Sequence, residues 1–136
     1  MYVGKAKQLF LTFIFIAFMT GSSFAGNFQN VVIVSIDALH PDTLLRAKIP
    51  TLQKLMNTGA YTLDGKSTEP PKTLVSHAAM FTGLPPVENG KTDNSWESGQ
   101  ATVRKNTIFN SGRSYGFRTG YFYAKRKLGY LVNDAI

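Results

Sequence analysis

The chain has 136 residues and a formal net charge of +7, and it contains no cysteine. The lack of cysteine excludes a disulfide framework and a cysteine nucleophile. Outside the triplet Lys125-Arg126-Lys127, the basic residues are scattered rather than aligned in the stripe typical of nucleic-acid-binding proteins. We therefore expect no binding to duplex nucleic acid. We interpret the triplet as a solvated loop or strand end, with a patch that attracts phosphate as the alternative.

The first part of the chain, residues 1–25, has the pattern of a secretory signal peptide. Two lysines precede an apolar run from Leu9 to Met19, and small residues follow up to Ala25. A membrane-spanning helix needs about 20 apolar residues, and this run is about half as long. The pattern predicts cleavage after Ala25 and a periplasmic or secreted protein. It also predicts no stable membrane anchor once residues 26–136 form the mature domain.

The mature chain opens with a run typical of a buried β-strand. Residues from Val31 to Ile36 are mostly β-branched and apolar on both faces, and the run stops at Asp37. Further along, Pro50 is placed to open a helix that Gly59 ends. The first unit is therefore predicted to be a strand, a loop and a helix.

The middle of the chain predicts a second helix. Residues 60–69 have an extended pattern, and Pro70-Pro71 interrupts it. From Leu74 to Phe81 the chain is short, apolar and rich in alanine, and Gly83 follows. This segment is expected to be a buried helix.

The last third predicts one more helix, from Val103 to Asn110, and a strand from Phe117 to Tyr123. Strands that alternate with helices indicate an α/β fold with a doubly wound, mostly parallel sheet and flanking helices. Ligands of such folds bind at the carboxyl ends of the strands, which is where Asp37 is expected to lie.

Two stretches of the chain resemble a known family. Residues 31–42, VVIVSIDALHPD, resemble the opening strand of the alkaline phosphatase superfamily. Residues 70–90, PPKTLVSHAAMFTGLPPVENG, resemble the nucleophile segment of its type I phosphodiesterase and nucleotide pyrophosphatase branch. The stretches occur in the family's order, and the resemblance spans nearly all of residues 30–125. It implies an alkaline-phosphatase-like fold that is incomplete here on its carboxyl-terminal side.

The resemblance also implies roles for three residues. Asp37 would be a ligand of one of two zinc ions. Thr73 would bind that zinc and act as the nucleophile, giving a covalent phosphothreonine intermediate. Asn94 would donate its side-chain amide to a phosphoryl oxygen. The implied substrate is a phosphodiester or a nucleotide-like small molecule.

Each of these residues has a simpler structural alternative. Asp37 could cap the turn after a strand, Thr73 could be the N-cap of the following helix, and Asn94 could be a turn residue. The resemblance gives His77 a role in supporting the nucleophile segment, so neither His77 nor His40 is included in the metal set.

The chain departs from the family pattern at three positions, and these departures bear on substrate and branch more than on fold. Val75 stands where members often have proline, Ala38 where many have glycine, and Asn89 where a histidine commonly precedes the glycine.

The sequence does not provide a complete set of zinc ligands. After Asn94 the only acidic residues are Glu97 and Asp134, and no histidine follows. A catalytic zinc takes about three protein ligands. We therefore interpret residues 26–136 as the amino-terminal part of a phosphodiesterase domain, with little or no activity alone.

Three alternatives remain open. The same nucleophile and metals serve a phosphomonoesterase. A sulfatase-like hydrolase is a second reading, although it needs an oxidised cysteine or serine where Thr73 stands. A non-catalytic secreted relic of the domain is the third.

Overall fold

The computed structural model describes residues 30–136. The predicted signal peptide lies outside the described residues. The chain divides into two units, Met1–Ser35 and Ile36–Ile136. Only residues 30–35 of the first unit are described. No helix within residues 30–136 is long and apolar enough to cross a membrane.

The apolar run at the start of the described chain is extended and exposed. Val32 and Val34 expose 83% and 75% of their surface, and residues 31–36 pair with no second strand. A β-strand exists only when a neighbouring backbone takes its hydrogen bonds. No strand is present anywhere between residues 30 and 136. The buried strand expected here is therefore not observed, and the parallel sheet stays a prediction.

The second unit is built from short helices. Within residues 36–136 they are α1 (Pro41–Arg46), α2 (Pro50–Thr58), α3 (Thr73–Thr82), α4 (Pro86–Asn89) and α5 (Ile108–Ser114), followed by a 3-10 helix (Arg126–Leu131). Proline occupies the first position of α1, α2 and α4. The fixed φ of proline suits the first turn of a helix, where an N–H group has no acceptor in the helix.

Two of the predicted helices are confirmed. The helix expected to open at Pro50 and end before Gly59 is α2. The buried helix expected up to Phe81 is α3. Helix α3 ends because Gly83 takes the left-handed conformation, with φ of 68°, and donates its N–H to the carbonyl of Ala79.

The helix predicted from Val103 to Asn110 is wrong at its start. Helix α5 begins at Ile108, because Asn110 Oδ1 accepts hydrogen bonds from the backbone N–H and the hydroxyl of Thr107, at 2.8 and 2.9 Å. Val103 lies outside any helix, and its N–H donates to the carbonyl of Tyr130 at 2.8 Å. A contact with a distant residue therefore overrides the local apolar spacing.

The strand predicted from Phe117 to Tyr123 is not observed either. These residues are irregular, and Tyr121 instead packs its ring against the core. It contacts Phe81 and Phe109 with ring centroids 5.6 Å away in both pairs. Such aromatic contacts stabilise a core without a sheet.

The core of this unit forms around α3. Its buried members are Leu74, Ala78, Phe81, Val103, Leu128, Tyr130 and Leu131. Leu74 and Leu131 are fully buried. Each large apolar side chain removed from water contributes about 2 kcal/mol. Since Leu74 directly follows Thr73, this packing fixes the amino-terminal end of α3.

Candidate functional site

Thr73 is the first residue of α3. The preceding Lys72 is the N-cap, and its side chain makes no capping hydrogen bond. The Thr73 hydroxyl is half-buried and makes no hydrogen bond with residues 30–136. Thr73 is therefore not the cap of this helix, and its hydroxyl is available for another contact.

The cap comes instead from Asn94. The backbone N–H of Leu74 donates to Asn94 Oδ1 at 3.0 Å. Because a backbone N–H can only donate, the oxygen of the Asn94 amide must face the helix. Its NH₂ group makes no hydrogen bond within the described part of the chain. The structure thus brings two of the three predicted site residues, Thr73 and Asn94, to one helix end.

The hydrogen bond from Leu74 to Asn94 leaves only some of the backbone N–H groups at the start of α3 without an acceptor. The first four N–H groups of a helix have no acceptor inside it. Here Lys72 donates to the carbonyl of Pro70 at 2.9 Å, and Leu74 donates to Asn94. The N–H groups of Thr73 and Val75 remain, at the positive end of the helix dipole.

His77 lies one turn further along α3 and is buried, with 8% of its surface exposed. Its Nδ1 lies 2.7 Å from the carbonyl oxygen of Thr73. Because a carbonyl can only accept, Nδ1 carries the proton in this contact. His77 therefore contacts the backbone of Thr73 and not its hydroxyl.

Asp37 lies in the turn after the extended run, and its carboxylate pairs with the ammonium group of Lys125. The hydrogen bond from Lys125, aided by the charge of its ammonium group, lowers the pKa of Asp37 below its usual value. The interpretation of the Lys125 triplet as solvated missed this pair. Nothing local could have indicated it, because 88 positions separate the two residues.

The described residues do not form a complete zinc site. No group of three or more His, Cys, Asp or Glu side chains lies together within residues 30–136. Asp37 and Thr73 carry oxygen donors of a type that a metal ion accepts, but a catalytic zinc takes about three protein ligands. The Asp37 carboxylate also forms an ion pair with the ammonium group of Lys125.

Comparison with protein families identifies the family of the chain. Residues 31–115 match the type I phosphodiesterase / nucleotide pyrophosphatase family. This match covers more than half of the chain and includes Asp37, Thr73 and Asn94. No curated protein and no solved structure matched the chain. The resemblance seen in the sequence is confirmed, and the chain belongs to the type I phosphodiesterase / nucleotide pyrophosphatase family.

Proposed function

We propose that this chain carries part of the active site of a hydrolase for phosphodiester or pyrophosphate bonds, with Thr73 as the nucleophile. The observation that carries the proposal is the hydrogen bond from Leu74 N–H to Asn94 Oδ1. It puts an unpaired hydroxyl and an unpaired amide NH₂ at the same helix end. Family membership supports the same class of chemistry.

The proposed reaction has two displacements at phosphorus. The Thr73 oxygen attacks in line with the leaving group, and its proton passes through solvent to the leaving group as the new P–O bond forms. The bond to the leaving alcohol breaks, which leaves a phosphothreonine that still carries the second ester group. Water then attacks this intermediate, and a proton passes from the water to the Thr73 oxygen as it leaves.

The helix end is suited to stabilise the charge that develops on the phosphoryl oxygens. The Asn94 NH₂ group and the N–H groups of Thr73 and Val75 are the available donors. Fixed donors of this kind are each worth about 10²–10³ in rate when aimed at a developing charge. The two zinc ions implied by the family remain part of the proposal. Asp37 and Thr73 would each provide one oxygen ligand, and the other ligands are not among the described residues.

A second candidate is a non-catalytic domain of the same family. One observation favours it: the carboxylate of Asp37 is neutralised by Lys125 rather than presented to a cation. In this reading the Asp37 and Lys125 pair joins two distant segments of the chain.

Hydrolysis of bis-p-nitrophenyl phosphate, with Zn²⁺ in the buffer, tests the proposal in a protein that contains this chain together with the remaining zinc ligands. The variants are Thr73→Ala and, as a matched control, Thr82→Ala near the other end of α3. The Thr82 hydroxyl bonds to the carbonyl of Ala78 within the helix, so its loss should leave turnover intact. Turnover lost only in Thr73→Ala is the expected result. Turnover retained in both variants overturns Thr73 as nucleophile, and no turnover in the wild type favours the non-catalytic domain.

A further inference from the structure

Lys91 is buried, with 7% of its surface exposed. Its Nζ lies 3.2 and 3.3 Å from the two carboxylate oxygens of Asp93 and 2.7 Å from the carbonyl of Ser95. It also lies 4.9 Å from the centroid of the Tyr130 ring. A lysine is rarely buried unless its charge is paired. The ammonium group of Lys91 is therefore bound both to the loop at residues 91–95 and to the ring of Tyr130.

Asp93 and Ser95 are also joined to each other. The Asp93 carboxylate accepts hydrogen bonds from the N–H and the hydroxyl of Ser95. Both flanks of Asn94 are therefore attached to Lys91, one through a carboxylate and one through a carbonyl. We call the set of Lys91, Asp93 and Ser95 the lysine clamp.

Two contacts of Lys91 anchor the lysine clamp. On one side, the N–H of Lys91 donates to Asn89 Oδ1 at 2.8 Å, and Asn89 Nδ2 donates to the carbonyl of Leu84 at 3.0 Å, just after α3. On the other side, Tyr130 belongs to the same core as Leu74. Loops on a protein surface are usually more mobile than the helices they join. Here the clamp ties a loop to the core that fixes the start of α3.

We propose that Lys91 is a positioning residue, which keeps the Asn94 side chain on the N–H of Leu74 and so keeps its NH₂ group beside Thr73. This inference rests on the proposed function, because only that function gives the position of Asn94 a role in catalysis. The positioning itself is a property of the folded chain. It is distinct from a purely stabilising role, because a buried ion pair often adds little net stability over an apolar side chain of similar size.

Hydrogen exchange at the Leu74 amide, measured by NMR on the full chain, tests the positioning. Lys91→Met keeps the apolar stem and removes the ammonium group. It should speed exchange of this amide about tenfold, because the loop no longer holds its acceptor in place. Lys105→Met, at an exposed lysine, is the matched control and should leave the exchange rate unchanged. In a protein that also contains the remaining zinc ligands, Lys91→Met should lower kcat and leave KM unchanged, because the proposed role of Asn94 is exerted in the transition state.

Asp93→Asn is the second variant and covers the case in which Lys91→Met does not fold. Its side chain is 60% exposed, so the substitution leaves the core intact. It should also speed exchange at Leu74, since it weakens the same clamp. Unchanged Leu74 exchange in the folded variants overturns the positioning role, whatever their turnover. Absence of turnover in the wild type counts against the proposed function only, and the exchange rates still decide the role of Lys91.

Discussion

Asn94 Oδ1 accepts a hydrogen bond from the backbone N–H of Leu74 at 3.0 Å, across twenty positions of the chain. The contact uses only the oxygen of the Asn94 amide. The two ends of one side chain can therefore be tested separately: the oxygen caps α3, and the NH₂ group is the proposed donor to a phosphoryl oxygen.

Two substitutions of Asn94 test the capping role through the free energy of unfolding. Asn94→Ala removes the cap and should lower the free energy of unfolding by about 1 kcal/mol, the usual cost of losing a helix cap. Asn94→Asp keeps an oxygen acceptor and adds a negative charge at the positive end of the helix dipole, so stability should be retained. Urea unfolding of the two variants and the wild type measures the difference.

The kcat values of these variants should not change in parallel with their free energies of unfolding. Asn94→Asp has no NH₂ group to donate, so its kcat should fall by about 10²–10³ even though the helix is capped. Full turnover in Asn94→Asp would show that the amide does not contact the transition state.

Two of the helices could be predicted from local sequence, since their signals lie within them. Pro50 opens α2, and Gly83 stops α3. The start of α5 was missed because the capping pair Thr107 and Asn110 determines it, whereas the prediction followed the apolar spacing from Val103. Capping chemistry was therefore the better local signal in that segment.

The contacts that build the site could not be predicted, because they join distant positions. The family resemblance indicated Thr73 and Asn94, yet only the fold shows that Asn94 caps the helix that Thr73 begins. Likewise, nothing near Asp37 in the sequence indicates Lys125 as its partner. The strand predicted from Val31 depends on a neighbouring strand, and none lies within residues 30–136.

The lysine clamp predicts an acid-dependent loss of stability. The hydrogen bonds from Ser95, with a further contribution from Lys91, hold the pKa of Asp93 well below its usual value of 3.8. A carboxyl group with a lowered pKa in the folded state contributes stability above its unfolded pKa, and loses it as the pH falls toward the folded pKa. The free energy of unfolding should therefore fall between about pH 5 and pH 2, where other carboxyl groups also titrate.

Ser95→Ala isolates the contribution of Asp93 to this pH dependence. Removing the hydroxyl should raise the pKa of Asp93 toward its usual value, as followed by the ¹³C shift of its carboxyl group. Ser98→Ala, at an exposed serine close by, is the control and should leave the Asp93 titration unchanged. Identical Asp93 titrations in the wild type and Ser95→Ala would contradict the assignment.

Ala38 has a φ of 62°, in the left-handed region that favours glycine. An alanine there costs about 1–2 kcal/mol through the crowding of its Cβ. Ala38→Gly should therefore raise the free energy of unfolding by about 1 kcal/mol, after the larger chain entropy of glycine is subtracted. Ala60→Gly, at an exposed alanine without positive φ, should lower it instead. Equal changes in both variants, measured by urea unfolding, would contradict the prediction.

Gly129 belongs to the 3-10 helix and lies against the ring of Trp96. A Cβ at this position would lie 2.6 Å from Trp96 Cζ3 and 3.1 Å from the hydroxyl oxygen of Tyr123. Gly129→Ala should lower the melting temperature, because overpacking a filled contact costs about 1–3 kcal/mol. Gly65→Ala, where nothing lies within 4 Å of the added Cβ, is the control. An unchanged melting temperature in Gly129→Ala would show that this packing is not tight in solution.

The most direct test of the central claim is capture of the covalent intermediate on Thr73. A protein that contains this chain together with the remaining zinc ligands would be mixed with bis-p-nitrophenyl phosphate and Zn²⁺, quenched in acid and digested, and the peptide that begins at Thr73 would be examined by mass spectrometry. The account predicts a p-nitrophenyl phosphoryl group on Thr73 and none in the same peptide of Thr73→Ala. Turnover without an adduct on Thr73, or with the adduct on Ser76, would contradict it.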